Sequence, residues 1–149
     1  MFPRHVFPLD NPFLKYLGVE FIEMGEGTAT LALHLQPHHM NSGQVTHGGV
    51  SMTMLDVVMA LAGRTLNPHA SGAVTVDMST SFLQPGGLTG GRVVAKGKAF
   101  HRTATMCFCE AELWYGEKLV AKSLGTFKYM RSTPASRKAV PGSDSAADA

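Results

Sequence analysis

Apolar residues fill almost every position from Val50 to Ala62 with no polar stripe of helical width, while the flanking segments alternate apolar and polar with a period of two. The first pattern predicts one long helix over about residues 49–66, stopped by Asn67-Pro68. The second predicts strands. Residues 18–24 place Val19 and Phe21 on one face, Gly25-Glu26-Gly27 turns the chain, and Leu31, Leu33 and Leu35 then alternate with Thr30, Ala32 and His34, which makes a hairpin. Four more strands are expected at residues 72–84, 92–101, 104–115 and 119–130, each bounded by Gly, Pro or a short polar turn such as Gly116-Glu117-Lys118. Connections this short favour antiparallel neighbours, because a parallel crossover needs a dozen or more residues. Ahead of the hairpin, Asn11 can cap a short helix with Pro12 at its first position and Gly18 at its end.

A helix that is apolar on every side must be covered on most of its surface, and the material available is the sheet of its own chain and a second copy of that chain. The segment over residues 37–49, with no periodicity and many turn formers, reads as the loop that delivers the chain to this helix. The expected organisation is one domain over residues 1–131. It is followed by a small, polar, Pro-bearing tail over residues 132–149 that is expected to be disordered.

Composition adds mainly exclusions. With 44% hydrophobic and 16% charged residues the chain belongs among folded globular proteins. A net charge of +2 with no basic cluster longer than Arg137-Lys138 does not support nucleic-acid binding. No stretch has the length and flanks of a signal peptide or a membrane span, so no membrane association is expected and the expected location is cytoplasmic. Cys107 and Cys109 lie two apart in an alternating segment, side by side on one strand face, and read as packed thiols. His34, His38, His39 and His47 lack a carboxylate or cysteine to complete a ligand set, so no metal site is expected. A serine hydrolase is disfavoured by the absence of a G-x-S-x-G turn.

Asp56 breaks the apolar helix. Its neighbours three and four residues away are Met52, Thr53, Met59 and Ala60, so no cation on the same helix can pair with it. Burying an ionised carboxylate costs several kcal/mol unless it is paired or hydrogen-bonded, which leaves two readings: a reactive carboxylate, or a structural one satisfied by Thr53, backbone amides or a strand residue. Gly48 and Gly49 open the helix, where unpaired N–H groups meet the positive end of the dipole and a missing Cβ lets a substrate oxygen approach. Gly48 and Asp56 are eight residues apart, or about 12 Å along one helix axis. One carbonyl cannot touch both. If they act together, the glycine amide of one subunit meets the carboxylate of another, across central helices paired antiparallel about a two-fold axis.

With Pro12 to Phe21 (PFLKYLGVEF), Asn41 six positions before His47-Gly48-Gly49, Leu55-Asp56, the stretch over residues 74–85 and Gly125-Thr126-Phe127, the chain resembles the hotdog-fold thioesterases of the 4-hydroxybenzoyl-CoA thioesterase superfamily, in particular their phenylacetate-degradation branch. The resemblance implies an α+β hotdog fold, five or six antiparallel strands wrapped around one long central helix. It also implies a homodimer, often a dimer of dimers, that hydrolyses acyl-CoA without metal or cofactor. Residue by residue, it implies Asp56 as nucleophile or general base, Gly48 as the N–H donor to the thioester carbonyl, Asn41 and His47 as loop residues that position thioester or water, and Thr75 as a hydroxyl near the carboxylate. For the CoA phosphates His101 and Arg102 are the candidates, and Met52 and Met59 for the acyl pocket. Aryl, phenylacetyl-type and medium-chain acyl groups remain open, and the alternatives are a hotdog-fold hydratase-dehydratase or a non-catalytic acyl-CoA binder.

Overall fold

The computed structural model describes residues 11–131; the expected disordered tail and the first ten residues lie outside the described residues. In chain order the elements are α1 (Pro12–Leu17), β1 (Glu20–Gly25), β2 (Thr28–His34), a single 3-10 turn (Pro37–His39), α2 (Gly48–Arg64), β3 (Ala70–Phe82), β4 (Arg92–Arg102), β5 (Met106–Tyr115) and β6 (Lys118–Arg131). The six strands form one antiparallel sheet in the order β1-β2-β4-β5-β6-β3. α1 starts as its residues require: the Asn11 side chain accepts from the Phe13 and Leu14 amides, Pro12 takes the first turn, and Gly18 ends the helix at φ 84°.

The sheet curls around α2. Leu31 and Leu33 of β2, Val93 and Ala95 of β4, Leu113 of β5 and Phe127 of β6 all point inward and are fully buried, together with Met54, Leu55, Val58, Met59 and Ala62 of the helix. Two glycines allow this close approach: a Cβ on Gly97 of β4 would stand 2.6 Å from the Val58 carbonyl oxygen, and one on Gly63 of α2 would stand 2.3 Å from Cys107 Sγ. Cys107 and Cys109 are both free, buried and turned to the helix, as two residues on one strand face must be.

Among the described residues, only one side of α2 is covered. Met52, Thr53, Asp56, Val57, Ala60 and Arg64 stay half-buried, because a single sheet reaches around one flank of a helix and no further. The apolar circumference seen in the sequence therefore marks two contact faces, one for the chain's own sheet and one left open. Along that open flank runs β3, a 13-residue strand bonded to β6 on one side and at the edge of the sheet on the other. Val74 and Val76 on it are about half exposed. Among the described residues nothing pairs with its outer edge, and a long edge strand with apolar side chains and free N–H and C=O groups is a template for pairing.

Candidate active site

The start of α2 is held by a chain of contacts from α1. His39 is buried; its Nδ1 accepts from the Gln36 amide at 2.9 Å and its Nε2 donates to the Leu17 carbonyl at 2.8 Å, which fixes the tautomer. The His39 carbonyl in turn accepts from the His47 amide at 2.8 Å. Between them Asn41 organises the loop: its Oδ1 accepts from the Gly43 and Val45 amides at 2.8 and 3.2 Å, and its own amide donates to Val45 O. Thr46 Oγ1 pins the loop's end to Gly87 O at 2.6 Å.

His47 caps the helix. Its Nδ1 accepts from the Gly49 amide at 2.9 Å, and its carbonyl accepts from Val50 and Ser51. Among the described residues no acceptor takes the Gly48 amide. That N–H stands at the positive end of a 17-residue helix, with the Phe82 ring 3.5 Å from where a Cβ on Gly48 would be. Neither Phe82 nor the structural role of His39 follows from the sequence pattern, in which His39 stands out only as one of several histidines; both nitrogens of its ring are engaged by backbone.

Asp56 lies two turns further along α2, on its open flank, and Oδ1 accepts a hydrogen bond from Thr75 Oγ1 of β3. Thr53 is not its partner, since that hydroxyl donates to Gly49 O at 2.8 Å. The carboxylate is thus oriented by one hydroxyl and keeps acceptor capacity on the side its own sheet leaves open. The structure brings Asp56 and Thr75 together in one place, and Asn41, His47 and Gly48 together in another, as helix geometry demands within one chain.

His101 and Arg102 lie at a third place, the end of β4 beside the C-terminal turn of α2. His101 packs on Phe108 with ring centroids 5.9 Å apart. Arg102 donates through Nη1 to Leu66 O and through Nε to Thr103 O at 3.2 Å, and sits 5.4 Å from the centre of the Tyr129 ring. Burial raises the Tyr129 phenol above its usual range, so it stays protonated and donates to Gly63 O at 2.6 Å. Next to it, between the start of β3 and the end of β6, a cleft of about 770 Å³ is lined by Asn67, His69, Val74, Lys128 and Arg131 among others, with no carboxylate in its lining.

A family model described as thioesterase superfamily matches residues 43–122, which include Gly48, Asp56 and Thr75. The chain belongs to the thioesterase superfamily. It is 28% identical over 130 residues to a Saccharolobus solfataricus protein named "Putative esterase", covering 87% of this chain and 91% of that one. A conserved protein of Pseudomonas aeruginosa, solved as a structure, is 28% identical with a TM-score of 0.75 over 80% of this chain and 94% of that one. The E. coli PaaI protein, from the phenylacetic acid degradation operon, is 25% identical with a TM-score of 0.77 over 87% of this chain and 91% of its own. The hotdog architecture expected from the sequence is the one found, with six strands, and the chemistry that goes with this thioesterase family is hydrolysis. Among the described residues no helix is long and apolar enough to cross a membrane.

The His39 geometry has a pH signature. Burial holds its imidazole below the ordinary value of 6.5, against the Leu17 hydrogen bond that pulls the other way, while His38 adds to the lowering. In the unfolded chain the ring takes a proton as pH falls through 6.5, whereas the native ring refuses it until lower pH. Stability is therefore fully present above that value and declines below it. Thermal unfolding should show a midpoint that falls between pH 7 and pH 5, with this slope reduced in His39→Gln, whose amide can serve both backbone groups; an unchanged slope would refute the assignment.

Proposed function

We propose that this chain is an acyl-CoA thioesterase that releases CoA and a free acid from aryl-, phenylacetyl-type or medium-chain acyl thioesters. The observation that carries the reading is a pair of groups on α2 with hydrogen-bonding capacity to spare: a carboxylate oriented by Thr75 and, among the described residues, a helix-start amide without an acceptor. Phenylacetyl-type substrates enter through the E. coli relative, whose operon degrades phenylacetic acid. At the level of fold alone, a Streptococcus mutans structure, 19% identical with a TM-score of 0.69, is bound to acetyl CoA.

The working unit in this proposal is a homodimer, assembled further as a dimer of dimers. Two observations support it: the unpaired apolar edge of β3 and the open flank of α2 lie side by side. Antiparallel docking of two α2 helices about a two-fold axis would bring Gly48 of one subunit to Asp56 of the partner subunit. The thioester carbonyl accepts a hydrogen bond from the Gly48 amide, where negative charge develops in the transition state. Asp56 of the partner subunit either attacks the carbonyl carbon, forming a mixed anhydride that water hydrolyses to the free acid once CoA has left, or takes a proton from the attacking water. The C–S bond breaks and CoA leaves as thiolate, a good leaving group that takes up a proton from solvent. Asn41 and His47 hold the loop and cap that present the Gly48 amide, and Thr75 orients the acid. The cleft at Lys128 and Arg131, lined also by the Tyr129 that Arg102 sits over, supplies positive charge for the CoA phosphates.

Thiol release from a panel of acyl-CoAs tests the reading. A thioesterase frees CoA and shows a preference among the acyl groups. A hydratase-dehydratase alters the acyl chain without freeing CoA, and a binding protein shifts no product at all.

A further inference from the structure

Arg64 occupies the last turn of α2 on the same stripe as Asp56 and Ala60, four and eight residues along. All three are half-buried, whereas Leu61, Ala62 and Gly63 beside them are packed against the sheet. The guanidinium carries five donors in a fixed fork. Among the described residues no hydrogen-bond acceptor and no carboxylate partners it; the contact of Glu20 with His34 lies elsewhere. Arg102, the neighbouring arginine, is by contrast held by two backbone carbonyls and a ring face. A partly desolvated guanidinium without an acceptor is in place for an anion that arrives from outside.

Position indicates which anion. Arg64 lies eight residues beyond Asp56, about 12 Å along the helix. Ala60 between them presents only a methyl group, so no bulky side chain stands on the stripe from Asp56 to Arg64. The Arg64 carbonyl accepts from the Asn67 amide at 3.1 Å, and Asn67 lines the basic cleft that also holds Lys128 and Arg131. From Asp56 onward the half-buried stripe of α2 thus presents an acid, a small residue and a cation, and Asn67, three residues past that cation, borders the cleft at Lys128 and Arg131.

We propose that Arg64 binds a phosphate of the substrate's carrier arm and so selects phosphate-bearing thioesters over short ones. This rests on the thioesterase reading, with Asp56 acting on the carbonyl. The favourable placement of any arginine at a helix C-terminus explains neither the half-burial nor the shared stripe.

The test compares one acyl group on two carriers, CoA and N-acetylcysteamine, the latter lacking every phosphate. In Arg64→Met, KM for the acyl-CoA should rise about tenfold with kcat nearly unchanged, as loss of a charge-assisted hydrogen bond implies, while KM for the short thioester moves less than about twofold. Arg64→Lys, which keeps the charge, should recover most of the affinity, and added salt should raise KM of the parent for the CoA ester but not for the short one. Equal changes on both carriers, or none on either, would overturn the proposal; equal changes with loss of the dimer would assign Arg64 to the subunit interface instead. A parent enzyme that frees thiol from neither carrier would overturn the thioesterase reading itself, a result distinct from a parent that works on both and a variant that does not discriminate.

Discussion

Asp56→Asn should lower kcat on the preferred acyl-CoA by about a thousandfold, the scale expected when a positioned base or nucleophile is removed. The side chain keeps its shape, and its carbonyl oxygen can still accept from Thr75 Oγ1, so the fold has no reason to suffer. Asp56 is also half-buried and unpaired with any cation in its own helix, so exchanging it for a neutral amide leaves no buried charge without its mate. The unfolding midpoint should stay within a few degrees of the parent's, measured by calorimetry beside the steady-state assay. Thr75→Val, which removes the donor but keeps the strand residue's shape, should cost less, about tenfold in kcat, since it releases the carboxylate's orientation and not the carboxylate. Parent-like turnover in Asp56→Asn would remove this residue from the chemistry.

Gly48→Pro should have the second largest effect, and for a reason that separates chemistry from folding. Proline at the first position of a helix has the required φ and lacks only the N–H, which inside α2 has no partner to lose. The preceding residue, His47, already sits at φ −59° and ψ 134°, a conformation that tolerates a following proline. A Cβ at this position meets Phe82 at ordinary contact distance, 3.5 Å. What disappears is the proposed donor to the thioester oxygen, and the loss expected for one such donor is about a hundredfold to a thousandfold in kcat. Gly48→Ala, which keeps the N–H, is the control: it should fall much less, and comparable losses in the two variants would mean that space at Gly48, not its amide, is what matters.

Much of this was legible in the residues because it is local. The caps of α1, the hairpin at Gly25-Glu26-Gly27 and the span of α2 follow from Asn11, Gly18, the Leu31-Leu33-Leu35 alternation and Asn67-Pro68, and each falls within two residues or so of its place. Strand order was not legible, since the placement of β3 at the edge beside β6 depends on contacts about fifty residues away in the chain. Bulges were equally hidden. Strict alternation would put Asp77 on the same face as Thr75, adding a second carboxylate near Asp56. The irregularity between Thr75 and Asp77 turns Thr75 toward α2 and Asp77 to the outer face, beside Phe100, Phe108 and Leu124. In the site, Asp56 and Gly48 stand out in sequence because a carboxylate and paired glycines interrupt an apolar pattern. His39, Phe82 and Arg64 do not: a buried histidine, an aromatic at a strand end and an arginine in a last helical turn are each ordinary until their partners, or lack of them, are seen in three dimensions.

The claim on which the mechanism depends is that each reaction centre draws its acid from one chain and its amide from the other. Mixing Asp56→Ala subunits with Gly48→Pro subunits, by unfolding and refolding the two together or by co-expression, measures this directly. Each mixed dimer then holds one centre with both defects and one with neither, so about a quarter of parental kcat per subunit should return from two nearly inactive proteins under random pairing. If both groups served the same centre from within one chain, every centre in the mixture would carry a defect, and the mixture would stay as inactive as its components.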